Sequence, residues 1–366
     1  MKRKLCLRGI KYIEDDGTIH LDTNVGCIDD LIEMADNNDP TLKYNIDMRK
    51  VHAIRNSLCK LKGMVGLKPV KQMLVRQIVY FLQGFHNEDM LHTVIQGPPG
   101  VGKTMLAQII GQIYHDLNIF NRGRHVDRHR NDRGEGGNHE GCCGSPPPPP
   151  PLSFKIARRS DLIGEYLGTT AKKTQAVIDS CKGGVLLIDE AYALGNSEGK
   201  DMYSKECIDT LNQNLSENKG NFLCIIAGYQ KSLDSSFFRY NEGLRRRFPF
   251  VYTLDKYTVE ELFEILKCIF EREHWRVSKT DGEAIRKLLK KHYARFENMA
   301  GDMETLALNI KLEQSSRVLF MHRSHKRVVT VDDVRRGMER FVAIKDAAKK
   351  ATEERSLPPP MSHMYL

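Results

Sequence analysis

Long apolar runs are missing from this chain. Across its 366 residues no stretch of about 18 consecutive apolar residues occurs, which excludes a membrane-spanning helix. Missing too is an apolar core behind the basic start Met1-Lys2-Arg3-Lys4. The segment therefore does not read as a secretory signal, and the expected location is cytoplasmic. The nine cysteines include no C-x-x-C pair, so they read as reduced thiols rather than a disulfide framework. The apolar fraction, 40%, is slightly low and the charged fraction, 28%, slightly high. The length still accommodates two or three domains, at least one with a full-sized core. A formal charge of +9 fits a solvated basic surface first, and nucleic acid or an acidic protein surface as a partner second.

What is present is more specific. Gly97-Pro98-Pro99-Gly100-Val101-Gly102-Lys103-Thr104 matches the phosphate-loop pattern G-x-x-x-x-G-K-[ST] without a mismatch. Leu91–Ile95 before it reads as a short buried strand, and Met105–Ile110 after it as a helix. A strand, a glycine-rich turn and a helix N-terminus together form an anion site, because free backbone N–H groups and the positive end of the helix dipole converge there. Lys103 is placed to reach terminal phosphates, and the Thr104 hydroxyl to take a magnesium position. The competing reading is a glycine-rich turn that happens to be followed by Lys-Thr.

A second motif decides between the two. Gly183-Gly184 introduces Val185-Leu186-Leu187-Ile188-Asp189-Glu190, a buried parallel strand that delivers two carboxylates at its C-terminal end, where ligands bind in open α/β sheets. Asp189 suits a magnesium, usually through water, and Glu190 suits acceptance of a proton from an attacking water. Phosphate loop and acidic strand end are the two halves of a nucleoside-triphosphatase site.

The remaining segments give the organisation. Residues 1–62 look like a small appendage: a hairpin at 10–21, a short helix near Ile28–Met34, and a helix carrying Val51, Ile54, Leu58 and Leu61 on one face. An α/β unit over 63–255 is interrupted by 121–151. That insertion is rich in Arg, His, Asp and Gly and ends in six prolines, a composition expected to be disordered. Its His125, His129, His139, Cys142 and Cys143 match no common zinc spacing. Asn221–Tyr229 reads as a strand beside the acidic one. Arg245, Arg246 and Arg247 precede another strand; they are either a basic surface or the source of an arginine finger. A helical unit of about ninety residues over 256–345 opens with capping boxes at Thr258/Glu261 and Thr280/Glu283, and Thr330 heads its last helix. The charged tail, 346–366, is expected to be disordered.

Three stretches then carry a family resemblance: Arg159–Ala171, Leu187–Leu194 and Ile226–Tyr229. Over about 63–345 the chain resembles the AAA+ ATPases, in the group of stage V sporulation protein K and the red-type Rubisco activase. The stretch 300–306 is similar to versions in large DNA viruses. The resemblance implies an α/β P-loop NTPase sheet flanked by helices and followed by a small all-α lid. It implies a homohexameric ring that binds ATP and Mg2+ and remodels or threads a protein substrate, a nucleic-acid motor or loader being the alternative. By motif position, Gly97, Pro98, Pro99, Gly100, Val101, Gly102, Lys103 and Thr104 are Walker A, and Asp189 and Glu190 Walker B. Val65 and Gly66 line the adenine. Arg247 is the finger toward the neighbour's ATP, with Arg246 as second choice. Tyr166-Leu167-Gly168 is the pore loop that grips polypeptide; without the resemblance, Tyr166 reads as a core residue beside a helix start. Three departures stand out. Gly228-Tyr229 replaces the polar residue often found beside Walker B, no lid arginine stands near Glu304 or Ala307, and the proline-rich insertion is foreign to the pattern.

Overall fold

The apolar runs marked in the sequence become buried strands of one parallel sheet. The computed structural model describes residues 10–13, 17–21, 24–120, 152–166, 168–195, 201–277, 281–322 and 326–356. The expectations placed on 121–151, Leu167, Thr280 and 357–366 fall outside them.

The chain opens with an antiparallel hairpin, β1 (Ile10–Ile13) and β2 (Ile19–Leu21). Three helices follow: α1 (Ile28–Asn37), α2 (Met48–Gly63) and α3 (Lys68–Leu82). Next come β3 (Thr93–Gln96), α4 (Lys103–Asp116), β4 (Phe154–Ala157), α5 (Arg159–Leu162), α6 (Thr169–Asp179) and β5 (Val185–Ile188). Then α7 (Met202–Glu217), β6 (Leu223–Gly228), α8 (Gln230–Ser232), α9 (Glu242–Arg246) and β7 (Phe250–Thr253) complete the α/β part. The sheet order is β4-β5-β6-β3-β7, every pair parallel. Every residue of β3, β5 and β6 is buried, the pattern of central strands covered on both faces.

Register positions the site. Gln96 lies beside Gly228, and Ile188 beside Ile226. The loop after β3 and the acids after β5 therefore emerge at one edge of the sheet, with the end of β6 between them. This is the carboxyl-end crevice where open α/β sheets take ligands.

Two compact units divide the chain: Met1–Gly97 with Gly102–Asp255, and Pro98–Val101 with Lys256–Leu366. The N-terminal segment read as an appendage belongs to the first unit rather than standing apart. Its α2 packs on α4, with Ser57 Oγ donating to Asp116 at 3.3 Å. The reason is the apolar face of α2, where Val51, Ile54, Leu58 and Leu61 are all fully buried.

The second unit is helical: α10 (Val259–Arg272), β8 (Arg276–Val277), α11 (Gly282–Lys291), α12 (Met299–Val318), β9 (Val328–Val329) and α13 (Val331–Ser356). Thr258 and Glu261 form the expected capping box on α10, at 2.8 and 3.2 Å. At α13 the buried Asp333 accepts from Thr330 and ion-pairs with Arg317 at 2.7 Å. Burial raises and these donors lower the Asp333 pKa, the net result lying below the ordinary carboxylate value. Ala307, one of the two positions searched for a lid arginine, is buried in this unit's core; Glu304 is exposed. The last helix corrects one expectation: it runs to Ser356 instead of fraying after Lys345. Asp346-Ala347-Ala348-Lys349-Lys350-Ala351 is made largely of strong helix formers, and Asp346 ion-pairs with Arg295 at 2.6 Å.

Candidate functional site

Lys103 is the first residue of α4, and the chain reaches it through a tight loop. Gly97 opens that loop with its N–H donating to the Gly228 carbonyl at 3.2 Å. A Cβ on Gly97 would stand 2.5 Å from the Leu254 carbonyl oxygen, so no side chain fits there. Gly102 has φ 89° and ends the loop in left-handed backbone, which glycine adopts without steric cost. The first N–H groups of α4 have no intrahelical acceptor and face out of the helix end. Thr104, half-buried, sits in this first turn.

The Lys103 ammonium is half-buried. It donates to the Gly97 carbonyl at 3.0 Å and lies over the Tyr229 ring, 5.1 Å from its centroid. Burial holds its pKa below the ordinary 10.5, and the charges of Asp189 and Glu190 push in the opposite direction. The negative charge of both carboxylates is therefore felt at the lysine. Asp189 continues the β5 ladder by one residue, its N–H donating to the Ala157 carbonyl at 3.1 Å, and its Oδ1 accepts the Glu190 N–H at 3.1 Å. Glu190 is exposed and adopts φ 53°, ψ 41°. For a non-glycine residue that left-handed conformation costs about 1 kcal/mol or more. The sharp turn takes the carboxylate out of the sheet.

Two tyrosines complete this end of the sheet, and neither motif reading singled them out for a role. Tyr192, in the turn Ala191–Leu194, stacks on Tyr229 with centroids 5.3 Å apart and planes 23° from parallel. Burial, and then the neighbouring Glu190 charge, push the Tyr192 hydroxyl up to about 12. Gly228 makes the stack possible, since a Cβ there would meet the Tyr192 ring at 3.0 Å. Arg159 was likewise not anticipated. It donates to the Ala193 carbonyl at 2.8 Å and to Ser204 Oγ at 2.6 Å, tying the turn to α7.

The other sequence candidates lie elsewhere. Val65 and Gly66 form the half-buried turn between α2 and α3, with Gly66 at φ 69°. A cavity of about 430 Å³ lined by Met64, Met105 and Gln108, among others, opens next to it. Pro98, Pro99, Gly100 and Val101 cluster with the second unit, where Gly100 accepts the Ala300 N–H at 3.1 Å and Val101 the Tyr257 hydroxyl at 2.9 Å. Tyr166 is 71% exposed, not packed on the core. Its turn is fixed by Thr169, whose hydroxyl donates to the Tyr166 carbonyl at 2.7 Å, and Gly168 caps α6 at φ 80°.

The three arginines separate clearly. Arg245 ion-pairs with Asp234 and lies over the Phe238 ring at 4.9 Å. Arg247 is half-buried, donating to Ser216 Oγ and to the Gly243 carbonyl, both at 2.7 Å. Arg246 is exposed in the wall of a cavity of about 500 Å³ shared with Met73, Arg76 and Phe250. Among the described residues Arg246 makes no hydrogen bond or ion pair.

Residues 93–254 match the model of the ATPase family associated with various cellular activities (AAA). A cfxQ-like protein of Acanthamoeba polyphaga mimivirus is 35% identical over 320 residues, covering 86% of this chain and 72% of the viral one. The chain is an AAA ATPase. Stage V sporulation protein K of Bacillus subtilis is 30% identical to this ATPase over 236 residues, covering 62% of this chain and 64% of its own. The AAA domain of FIGL-1, solved with ADP, superposes with a TM-score of 0.51 at 17% identity, over 80% of this chain and 89% of that one. That likeness concerns the fold. Among the described residues no helix of the ATPase is long and apolar enough to cross a membrane.

Proposed function

We propose that this AAA ATPase works as a homohexameric ring that uses ATP hydrolysis to pull on a polypeptide in its central pore. The observation that carries the reading is that Lys103, Asp189 and Glu190 all follow the carboxyl ends of β3 and β5, central strands of one parallel sheet, together with an exposed Tyr166 on a separate fixed turn. The first group serves the chemistry and the second the mechanical output.

In this reading the loop from Gly97 to Thr104 cradles the triphosphate and Lys103 neutralises its terminal phosphates, with Val65 and Gly66 against the base. The fit rests on the loop itself, whose Gly97 leaves no room for a Cβ, and on a half-buried ammonium held at the Gly97 carbonyl, where the loop begins. Thr104 and Asp189 are the oxygen donors that would hold Mg2+, which supplies positive charge to the phosphoryl oxygens. Glu190 takes a proton from water as the water oxygen bonds to the γ-phosphorus. The bond from phosphorus to the β–γ bridging oxygen breaks, and ADP leaves with that electron pair. A guanidinium from the neighbouring protomer completes the site. Arg247 is assigned this role by its place before Phe248, and Arg246 is the alternative favoured by its exposure. The parts 63–255 and 256–345 act as nucleotide-binding unit and lid.

Two tests arise here. Removing the Tyr166 ring (Tyr166→Ala) leaves basal ATP turnover within about twofold, because the residue touches nothing at Lys103, and abolishes stimulation by an unfolded model polypeptide such as casein. Stimulation by DNA that survives this change, with salt-sensitive DNA binding, would favour the nucleic-acid reading that the charge of +9 admits. The second test concerns Lys103. Bound phosphate favours its charged form, so affinity for a fluorescent ATP analogue is full below the free-state pKa of the lysine. It is lost as pH rises, beginning below the ordinary 10.5. An affinity unchanged to that pH would remove Lys103 from the phosphate site.

A further inference from the structure

We propose that Ser216 is the positioning residue of the arginine finger: its hydroxyl and the Gly243 carbonyl clamp the Arg247 guanidinium in one orientation. This deepens the functional reading above and rests on its assignment of Arg247.

The clamp holds one planar group at two points. Arg247 Nε donates to Ser216 Oγ and Nη1 to the Gly243 carbonyl, both at 2.7 Å. The acceptors come from different elements: Ser216 lies in the last turn of α7 and Gly243 in α9. Each is available for a local reason. The Ser216 hydroxyl sends its proton back to the Asn212 carbonyl at 3.4 Å, which leaves its lone pairs for the arginine. The Arg247 main-chain N–H goes to the Leu244 carbonyl at 3.1 Å, which leaves the Gly243 carbonyl for the side chain. Among the described residues nothing hydrogen-bonds Nη2, the amino group that remains to meet a phosphoryl oxygen.

The clamp stands on a buried brace. His92, directly before β3, is 2% exposed. Its Nδ1 accepts the Cys224 N–H at 3.1 Å, so the proton sits on Nε2, which donates to the Leu215 carbonyl at 3.2 Å. The same ring lies against Phe248, with centroids 5.9 Å apart. Leu215 precedes Ser216 and Phe248 follows Arg247, so one imidazole braces the chain beside both partners of the clamp. Burial pushes the His92 pKa down to about 4, and the ring is neutral in the working range.

A finger gains from such support. A guanidinium helps only where transition-state charge develops, and a displacement of about 1 Å can cost about 10²-fold. The other two arginines lack this arrangement. Arg245 is committed to Asp234, and Arg246 is exposed and held by no hydrogen bond or ion pair among the described residues.

The test compares full-length variants by steady-state ATP hydrolysis, binding of a fluorescent ATP analogue and mixing. Ser216→Ala should lower kcat about ten- to hundredfold while analogue affinity stays within about twofold, because the finger serves the adjacent site. Ser216→Thr keeps the hydroxyl and should hold kcat within about threefold of the parent. Mixing separates positioning from a merely structural role. Lys103→Ala mixed with Arg247→Ala sets a reference rate, the first lending its finger to the second. Ser216→Ala added to the lender should cut that rate about tenfold or more; the same change added to the borrower should leave it within about twofold. A structural role would lower both mixtures alike, and equal rates in the two overturn the proposal. If the reference mixture stays inactive, or Arg247→Ala alone turns over at the parental rate, the finger assignment fails and the proposal with it. A working reference mixture beside a Ser216→Ala protein of parental rate overturns the positioning role alone.

Discussion

A Glu190→Gln protein is expected to bind ATP with parental affinity and to hydrolyse it about 10²- to 10³-fold more slowly. The size follows from the role. A positioned base contributes about 10²- to 10⁴-fold, and glutamine matches glutamate in shape while accepting no proton. Binding survives because Lys103, Thr104 and the loop are untouched, and because the substitution leaves the left-handed backbone at φ 53° as it is. Nucleotide trapped on the purified variant, resolved by chromatography as ATP rather than ADP, is the direct check. A variant that holds ADP would mean that another group or the solvent takes the proton.

The second large effect is expected at the arginines. Replacing the finger should cost about 10³- to 10⁵-fold in kcat, the range for a guanidinium supplied in trans. It should leave nucleotide binding to the same subunit intact, because the finger serves the adjacent site. The structure gives the comparison between Arg247 and Arg246 physical content. Arg247→Ala also removes two hydrogen bonds, to Ser216 and Gly243, each worth about 1 kcal/mol or somewhat more for a charged donor. A lowered melting temperature should therefore accompany the lost activity. Arg246→Ala removes an exposed side chain with no such bonds and should leave stability unchanged. Activity lost at Arg246 with stability intact would move the finger to that residue. Activity lost only at Arg247, beyond what its stability change explains, keeps the assignment.

Much of this site could be read before any coordinates because its chemistry is local in sequence. The phosphate loop must be contiguous, since one turn of backbone has to wrap one anion. Asp189 and Glu190 end a buried apolar run, and that run is what delivers them to the carboxyl end of the sheet. Val185–Glu190 could be placed for that reason, and so could its neighbour Leu223–Gly228. What could not be read depends on non-local packing. The stack of Tyr192 on Tyr229 joins residues far apart in sequence across two strands, and nothing in the spacing of either signals it. The separate fates of Arg245, Arg246 and Arg247 depend on Asp234, Phe238 and Ser216, which come from other elements. Tyr166 shows the opposite limit. Its apolar ring beside a helix start resembles a core contact, and only the resemblance argued otherwise; its 71% exposure belongs to the turn and not to the residue type. The charge of the tail hides the extension of α13 to Ser356, whereas Ala347, Ala348 and Ala351 supply its helix propensity.

Two subunits that are each inactive for different reasons provide the closing test. Lys103→Ala lacks a working phosphate loop but carries Arg247; Arg247→Ala has an intact loop but no finger. If cleavage at one protomer's loop is completed by its neighbour, mixing the two proteins restores ATP hydrolysis to a substantial fraction of the parental rate, since the first lends its guanidinium to the second. Specific activity of the parent should also climb with protein concentration as rings form. A mixture as inactive as its components, beside a parent whose specific activity is constant on dilution, would contradict a site shared between protomers.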